Sequence, residues 1–297
     1  MPLERIAIRS ADVGDGLHAR RALPHRDRRT VGAWCFLDHL GPLDFAAGHG
    51  LNVGPHPHIG MQTFTWMIEG EVVHRDSLGN EQTIRPAQVN LMSAGRGIAH
   101  AEDSVEGRGG RLHAVQLWIA LDGAHRHGAP SFRNYPELPM IERDGVRITL
   151  LVGSFRGQRS PVEVFSPLVG MDITTTAGAR TTLPLAPAFE HAVLPLIGEV
   201  EVDGEAFKPD AMACLGVGRD GITLRSDEAA HCVLIGGVPL GEDILLWWNF
   251  VARTPDEIRT ATDDWNARRR FGAVHGSPSH PLVAPDVSKL RLRSVAS

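Results

Sequence analysis

His56-Pro57-His58 sets two imidazoles at positions i and i+2. On an extended segment alternate side chains share a face, so both rings point the same way. Pro57 supports the extended form: it disfavours the helical conformation at its predecessor and has no amide to give to a ladder. His100-Ala101-Glu102, 42 residues after His58, is a second pair with the same spacing. From two neighbouring strands of a small barrel, these four side chains can converge on one metal ion. Three neutral nitrogens and one anionic oxygen suit iron(II), manganese, cobalt, nickel or zinc. Catalysis needs an open coordination position beside them. A histidine pair by itself is equally compatible with a structural role; the distant His-x-Glu pair, among strands and glycine turns, is what points to a metal.

The elements that must position these residues are short strands. Gln62–Ile68, Val72–His74, Thr83–Arg85, Val89–Met92 and Leu112–Ala120 read as strands, with a turn at Asp76-Ser77-Leu78-Gly79-Asn80. The same grammar returns at Arg147–Gly153, Val193–Ile197, Glu199–Val202, Ala211–Leu215, Ile222–Leu224 and Cys232–Ile235, with Asp203-Gly204 as a hairpin turn. Many short strands at close spacing predict an all-β sandwich or barrel. Glu69-Gly70-Glu71-Val72-Val73 and Ile197-Gly198-Glu199-Val200-Glu201 look like one element written twice, 128 residues apart. The expectation is a duplicated β domain, residues 1–134 and 135–297, joined where Pro136 and Pro139 interrupt regular structure. Thr254-Pro255-Asp256-Glu257 opens a C-terminal helix as N-cap, first-position proline and capping box, and Gly272 after Arg268-Arg269-Arg270 is its expected end. The last 25 residues, polar and proline-containing, read as loosely ordered.

The residues reach a known family at this point. Gly50, His56 and His58 resemble the first motif of the cupin superfamily, and Gly97-x-x-His100 the end of its second. Phe36-Leu37-Asp38-His39-Leu40-Gly41-Pro42, Pro55-His56-Pro57-His58, Glu69-Gly70-Glu71, His74-Arg75-Asp76-Ser77-Leu78-Gly79, Ala94-Gly95-Arg96-Gly97-Ile98-Ala99-His100 and Gln116-Leu117-Trp118 resemble the pirin family, as does Trp247-Trp248-Asn249-Phe250-Val251. The resemblance implies an all-β fold of two cupin (jelly-roll-type) β-barrel domains with a C-terminal α-helix. It implies a metal, usually Fe(II), held in the N-terminal barrel by His56, His58, His100 and Glu102. It also implies one of two functions. Some bacterial relatives are quercetin 2,3-dioxygenases, acting on a flavonol or similar phenolic with O2; another member is an iron-dependent transcriptional co-regulator that works through a protein partner. In the enzymatic reading Glu102 is also the catalytic base that takes the substrate hydroxyl proton. The general cupin pattern has a glutamate three or four residues after the second histidine, where this chain has Gln62 and Thr63, and an arginine where it has Ile59. Gln62 is therefore expected beside the site rather than on the metal.

Other residues carry weaker signals. His74 and Asp76 alternate on one strand and could orient a ligating imidazole. His113 could line the barrel. Gly95-Arg96-Gly97 lacks the third glycine of a dinucleotide fingerprint and reads as a turn aiming His100 inward. Arg20, Arg21, Arg26, Arg28 and Arg29 read as a solvated basic run, and Cys35 between Trp34 and Phe36 as a buried small residue. Offset by 128, His56 and His58 fall on Pro184 and Ala186, so the second domain is expected to be metal-free, with His191 and His231 as hydrogen-bonded core or rim residues.

Composition bounds the rest. The 297 residues carry 30 Lys+Arg against 35 Asp+Glu, a net charge of −5 that disfavours direct nucleic-acid binding. Three cysteines make no disulfide framework. The most apolar stretches, Val233–Leu240 and Ile244–Ala252, are far below the ~20 residues that span a bilayer. No signal peptide is read at the N-terminus, and the expected location is the cytoplasm, without membrane contact.

Overall fold

The computed structural model describes residues 3–14, 17–46, 49–105 and 109–287. Its strands form two compact units. One comprises Asp12–Ala19, Leu40–Pro136 and Gly241–Ser297; the other comprises Met1–Ala11, Arg20–His39 and Glu137–Leu240. Each unit therefore draws on segments from both sides of residue 134. The reason is pairing and packing. Glu4–Ala7 adds to Ala211–Cys214 as an antiparallel strand of the second barrel. The C-terminal helix instead packs on the first barrel, burying Ile258 and Ala261 in a cluster with Ile59, Ala99 and Phe250.

The first barrel has a four-stranded sheet in the order Asn52–His58, Ile98–Ser104, Val72–Asp76, Glu81–Ile84. Its larger sheet runs Ser131–Tyr135, Gln88–Ser93, Met61–Glu69, Gly110–Ala120, Trp34–Phe45, Leu17–Leu23, Arg9–Gly14. The second barrel repeats the plan. Its four-stranded sheet is Arg180–Pro184, Gly221–Arg225, Val200–Val202, Glu205–Phe207. Its larger sheet is Glu4–Ala7, Ala211–Leu215, Glu190–Ile197, Ala230–Gly237, Leu168–Thr175, Val146–Val152, Met140–Arg143. The 128-residue repeat is therefore a repeat of strand order. In the second barrel the inward residues of alternate positions, among them Val169, Met171, Ile173, Cys232 and Leu234, make one apolar core.

The helix runs Pro255–Asn266, with Thr254 Oγ1 accepting from the Glu257 amide at 3.3 Å. The Glu257 carboxylate closes the box one residue early, on the Arg253 amide at 2.8 Å. The expected end at Gly272 is corrected to Asn266. Arg268 and Arg270 take positive φ, which no helix contains, and Phe271 turns inward to stack on Phe250. Residues 273–287 carry no regular element but are tied down, with the Trp265 indole donating to Leu282 O and the Leu282 amide to Pro55 O; residues 288–297 lie outside the described residues. The basic run is partly spent on structure: Arg28 pairs with Glu4 and Glu190, and Arg21 with the buried Asp38. Cys35 is buried, as its neighbours suggested. Among the described residues, no helix is long and apolar enough to cross a membrane.

One buried histidine of the second barrel gives a pH prediction. Burial pushes the His191 imidazolium down to about 4, the Phe189 carbonyl offsetting only part; in an unfolded chain the value is about 6.5. Between those values the unfolded chain takes up a proton that the folded chain refuses. His191's contribution to stability is thus complete above pH 6.5 and is lost as pH falls through 4, by roughly 3 kcal/mol at most. In urea unfolding of this unit at pH 7 and pH 4, H191F should lose less stability on acidification than the wild type. Parallel losses would contradict the assignment.

Candidate metal centre

Strand register builds the site. Ile98–Ser104 lies between Asn52–His58 and Val72–Asp76, with His100 opposite both His56 and Asp76, and Glu102 opposite Val53 and His74. A bulge between His100 and Glu102 shifts the pairing to the first strand but not to the second. The turn at Gly95 and Gly97, both at positive φ, delivers the chain into this strand. His56, His58 and His100 converge, one ligand atom from each lying within 4.8 Å of the others, and their exposures of 5%, 1% and 2% leave no room for charge.

The hydrogen bonds fix which nitrogen each ring presents. His56 Nδ1 donates to Gly54 O at 2.9 Å, and His58 Nδ1 to Asn249 O at 3.1 Å, because a carbonyl can only accept. His74 Nε2 faces Asp76 Oδ2 at 3.2 Å, so the proton is there, and His74 Nδ1 accepts from His100 Nδ1 at 3.2 Å. Each neutral ring has then used its one N–H, and all three Nε2 atoms are bare. Two of them, on His58 and His100, stand 3.0 Å apart. With no proton to share, that approach is repulsive unless a cation lies between them. Two nitrogens about 2.1 Å from one ion and at right angles are about 3.0 Å apart. The donor set fits a divalent transition metal.

Electrostatics agree. Burial pushes the imidazolium form of His56 down to about 4, and burial together with neighbouring histidines pushes those of His58 and His100 well below the usual value. All three are therefore neutral at pH 7, the form a metal needs. Burial opposes a charge on Asp76, but bonds from His74 and from Asn80 more than offset it and hold the carboxyl below its usual range. That anion, also anchored by the Leu78 amide at 2.9 Å, orients the relay.

Glu102 stands apart from the trio. Its carboxylate is not among the ligand atoms within that 4.8 Å group, and among the described residues no hydrogen bond holds it. Its position opposite His74 keeps it on the face that carries His100. Burial, reinforced by the negative Asp103, raises its carboxyl to about 7. Gln62 points elsewhere, donating to Ser93 Oγ at 2.8 Å. His113 is fully buried opposite Glu69, five residues before Trp118, whose ring meets that of His58 edge-on at 5.4 Å. His231 is hydrogen-bonded to Asp172 at 2.6 Å, as expected of a core residue. Sequence reasoning missed two contributors. Asn249 acts through a carbonyl, which no side-chain pattern announces. Gly54 supplies both a carbonyl and a close approach: a Cβ there would sit 2.1 Å from His280 O.

The His74 relay yields a prediction. H74F keeps a ring stacked on Phe132, 4.1 Å away in the wild type, but cannot accept from His100 Nδ1. Loss of such support costs about 10–100-fold in metal affinity. Competition against a chelator should show that rise in Kd, with the fold intact by circular dichroism; an unchanged Kd would remove His74 from the site.

Two jelly-roll barrels of one strand order, with a histidine cluster on the small sheet of the first, make this a bicupin. Residues 16–119 match the family model described as Pirin, and residues 170–272 that of the Pirin C-terminal cupin domain; the chain belongs to the pirin family. It is 49% identical over 286 residues to "Putative quercetin 2,3-dioxygenase PA1205" of Pseudomonas aeruginosa, covering 96% of this chain and 90% of that one. The crystal structure of quercetin 2,3-dioxygenase from Acinetobacter baumannii matches with TM-score 0.94 and 47% identity, over 98% of this chain and 97% of that one. Escherichia coli YhhW, a bacterial pirin in complex with nickel(II), matches with TM-score 0.63 over 80% of this chain and all of its own, but at 19% identity it shows the fold alone.

Proposed function

We propose that the protein is a metal-dependent dioxygenase of the quercetin 2,3-dioxygenase type, acting in the cytoplasm on a small phenolic with O2. One observation carries the reading: three buried imidazoles, each with its Nδ1 proton committed elsewhere, bring one ligand atom apiece within 4.8 Å of the others. The names of the relatives at 49% and 47% identity support the substrate class. His56, His58 and His100 are the protein nitrogens, and Glu102, on the same strand face as His100, is the fourth donor. Fe(II) is the proposed ion, with manganese, cobalt, nickel and zinc as the alternatives a nitrogen and oxygen set admits.

The ion would supply redox chemistry between a phenolic ring and O2. The chain supplies the rest. His56 and His58, tied to backbone carbonyls, and His100, tied through His74 to Asp76, keep their rings from turning. Trp118 and the buried strands around the trio exclude water. Glu102, whose carboxyl burial raises to about 7, is suited to take a proton from a substrate hydroxyl. The test is metal analysis of natively purified protein, followed by O2 uptake with quercetin on the fully loaded protein. One ion per chain and stoichiometric O2 consumption are expected. Full occupancy with no turnover of any flavonol would overturn the enzymatic assignment and favour the regulatory reading, in which a protein partner docks according to the metal's oxidation state.

A further inference from the structure

The larger sheet of the first barrel turns one face towards the histidines. Trp118 meets His58 edge-on, and the ring of Phe132 stacks on that of His74. Two residues along each strand, the same face carries a row of polar side chains. Asn134, Asn90, Thr65 and Gln116 stand opposite one another across Ser131–Tyr135, Gln88–Ser93, Met61–Glu69 and Gly110–Ala120. Beyond them Met67 and Ala114 join an apolar cluster with Val72 and Ile84 of the smaller sheet. The polar row thus lies between the aromatic rings at the trio and the apolar end of the barrel.

Polar groups that face a barrel interior need partners, and this row is only partly supplied. Asn134 Nδ2 donates to Asn90 Oδ1 at 2.7 Å and to Gln88 Oε1 at 3.3 Å. Thr65 Oγ1 donates to Gln116 Oε1 at 2.7 Å, which holds that amide in place. Gln116 Nε2 has no partner among the described residues, so both of its N–H groups are unspent. That nitrogen is also accessible rather than sealed in the core. Gly110–Ala120 is a central strand between Met61–Glu69 and Trp34–Phe45. Val115 and Leu117, which point to its other face, are 0% and 2% exposed, whereas Gln116 is partly exposed. An inward side chain on a central strand meets solvent only through the lumen, so the lumen is open at Gln116, beyond Trp118. The inward positions of these four strands carry no lysine or arginine. A carboxylate or phosphate on a ligand finds no counter-charge there, while an uncharged oxygen finds the Gln116 donor.

We propose that Gln116 sets the substrate preference of the first barrel: its Nε2 donates to a phenolic hydroxyl oxygen on the part of the ligand that lies away from the trio. Gln116 is about 7 Å along the strand from Trp118, so a ligand that reaches from the trio to Gln116 has more than one ring. The assignment rests on the reading of this barrel as a site for a small phenolic, but it concerns binding and requires no turnover.

Quercetin and 3-hydroxyflavone share one ring system and one 3-hydroxyl, and only quercetin carries further hydroxyls. Each is titrated, without O2, into the full-length metal-loaded protein and followed by its absorbance shift. The wild type should hold quercetin about tenfold more tightly, the worth of one neutral hydrogen bond. Q116M keeps the side-chain length and removes the donor. It should lose about tenfold for quercetin and nothing for 3-hydroxyflavone, at unchanged metal content. T65V leaves Gln116 in place but frees its amide, and should narrow the same ratio. A ratio unchanged in both variants overturns the proposal. So does an equal loss for both ligands, which marks a structural role, and so does a wild type that binds neither. O2 uptake measured in parallel separates the two readings. Gln116-dependent binding without turnover overturns the dioxygenase alone, and turnover with an unchanged ratio in both variants overturns only the role of Gln116.

Discussion

H58A is expected to strip the first barrel of its metal. His58 contributes one of the two Nε2 atoms that face each other at 3.0 Å, and its ring is held by Asn249 from one side and Trp118 from another. Residues that merely orient a ligand are worth about 10–100-fold in affinity. Removing a ligand itself should therefore cost on the order of a hundredfold or more, and plasma emission analysis should find far less than one ion per chain. A second readout follows from linkage. An ion present at a thousandfold over its Kd stabilises the folded state by about 4 kcal/mol. The wild type should gain that increment in thermal unfolding when metal is added, while H58A should gain almost none. Equal metal content in both proteins would refute the trio as the centre.

F207A should destabilise the second barrel by about 3–5 kcal/mol, the usual cost of truncating a buried phenylalanine. Phe207 is 0% exposed at the heart of the second core, and Arg5 sits 3.8 Å over its ring. Alanine leaves a cavity between two rigid sheets that cannot close on it, and also deletes the cation–π contact. Because the protein has two compact units, the effect should be read as a shift of one transition rather than of a global midpoint. Metal content should stay unchanged, since no ligand lies in that unit's core. A shift below 1 kcal/mol would show the site to be plastic.

Much of this was legible in the residues. His-Pro-His and His-x-Glu are local patterns whose spacing encodes side-chain direction, because a strand alternates faces with period two. The trio accordingly meets where two such strands pair, and the repeated Gly70 and Gly198 segments mark one strand order used twice. Glu102 shows the limit of the same logic. Its spacing puts it on the face of His100, but the bulge between the two shifts its partner on Asn52–His58 from the histidine row to Val53. A bulge depends on how the neighbouring strand closes, and no run of seven residues declares it. The helix end was misread for a related reason. Gly272 and the arginines were plausible as a terminus, whereas the helix ends at Asn266, the chain breaks at positive φ at Arg268 and Arg270, and Phe271 then stacks on Phe250.

The sequence by itself determined which atoms could bind a metal, that the elements holding them are short strands, and that the plan occurs twice. These follow from residue type and from periodicities of two or three residues, which act over a single turn or strand. The tertiary structure decided the tautomers and the segments from which each unit is drawn. Whether a neutral imidazole offers Nδ1 or Nε2 depends on the acceptor beside its other nitrogen. For His58 that acceptor is Asn249, 191 residues away, and for His100 it is His74, itself fixed by Asp76. Long-range packing puts those groups there: the cluster of Ile59, Ala99 and Phe250 draws the C-terminal segment onto the first barrel, and with it the carbonyl that completes the site.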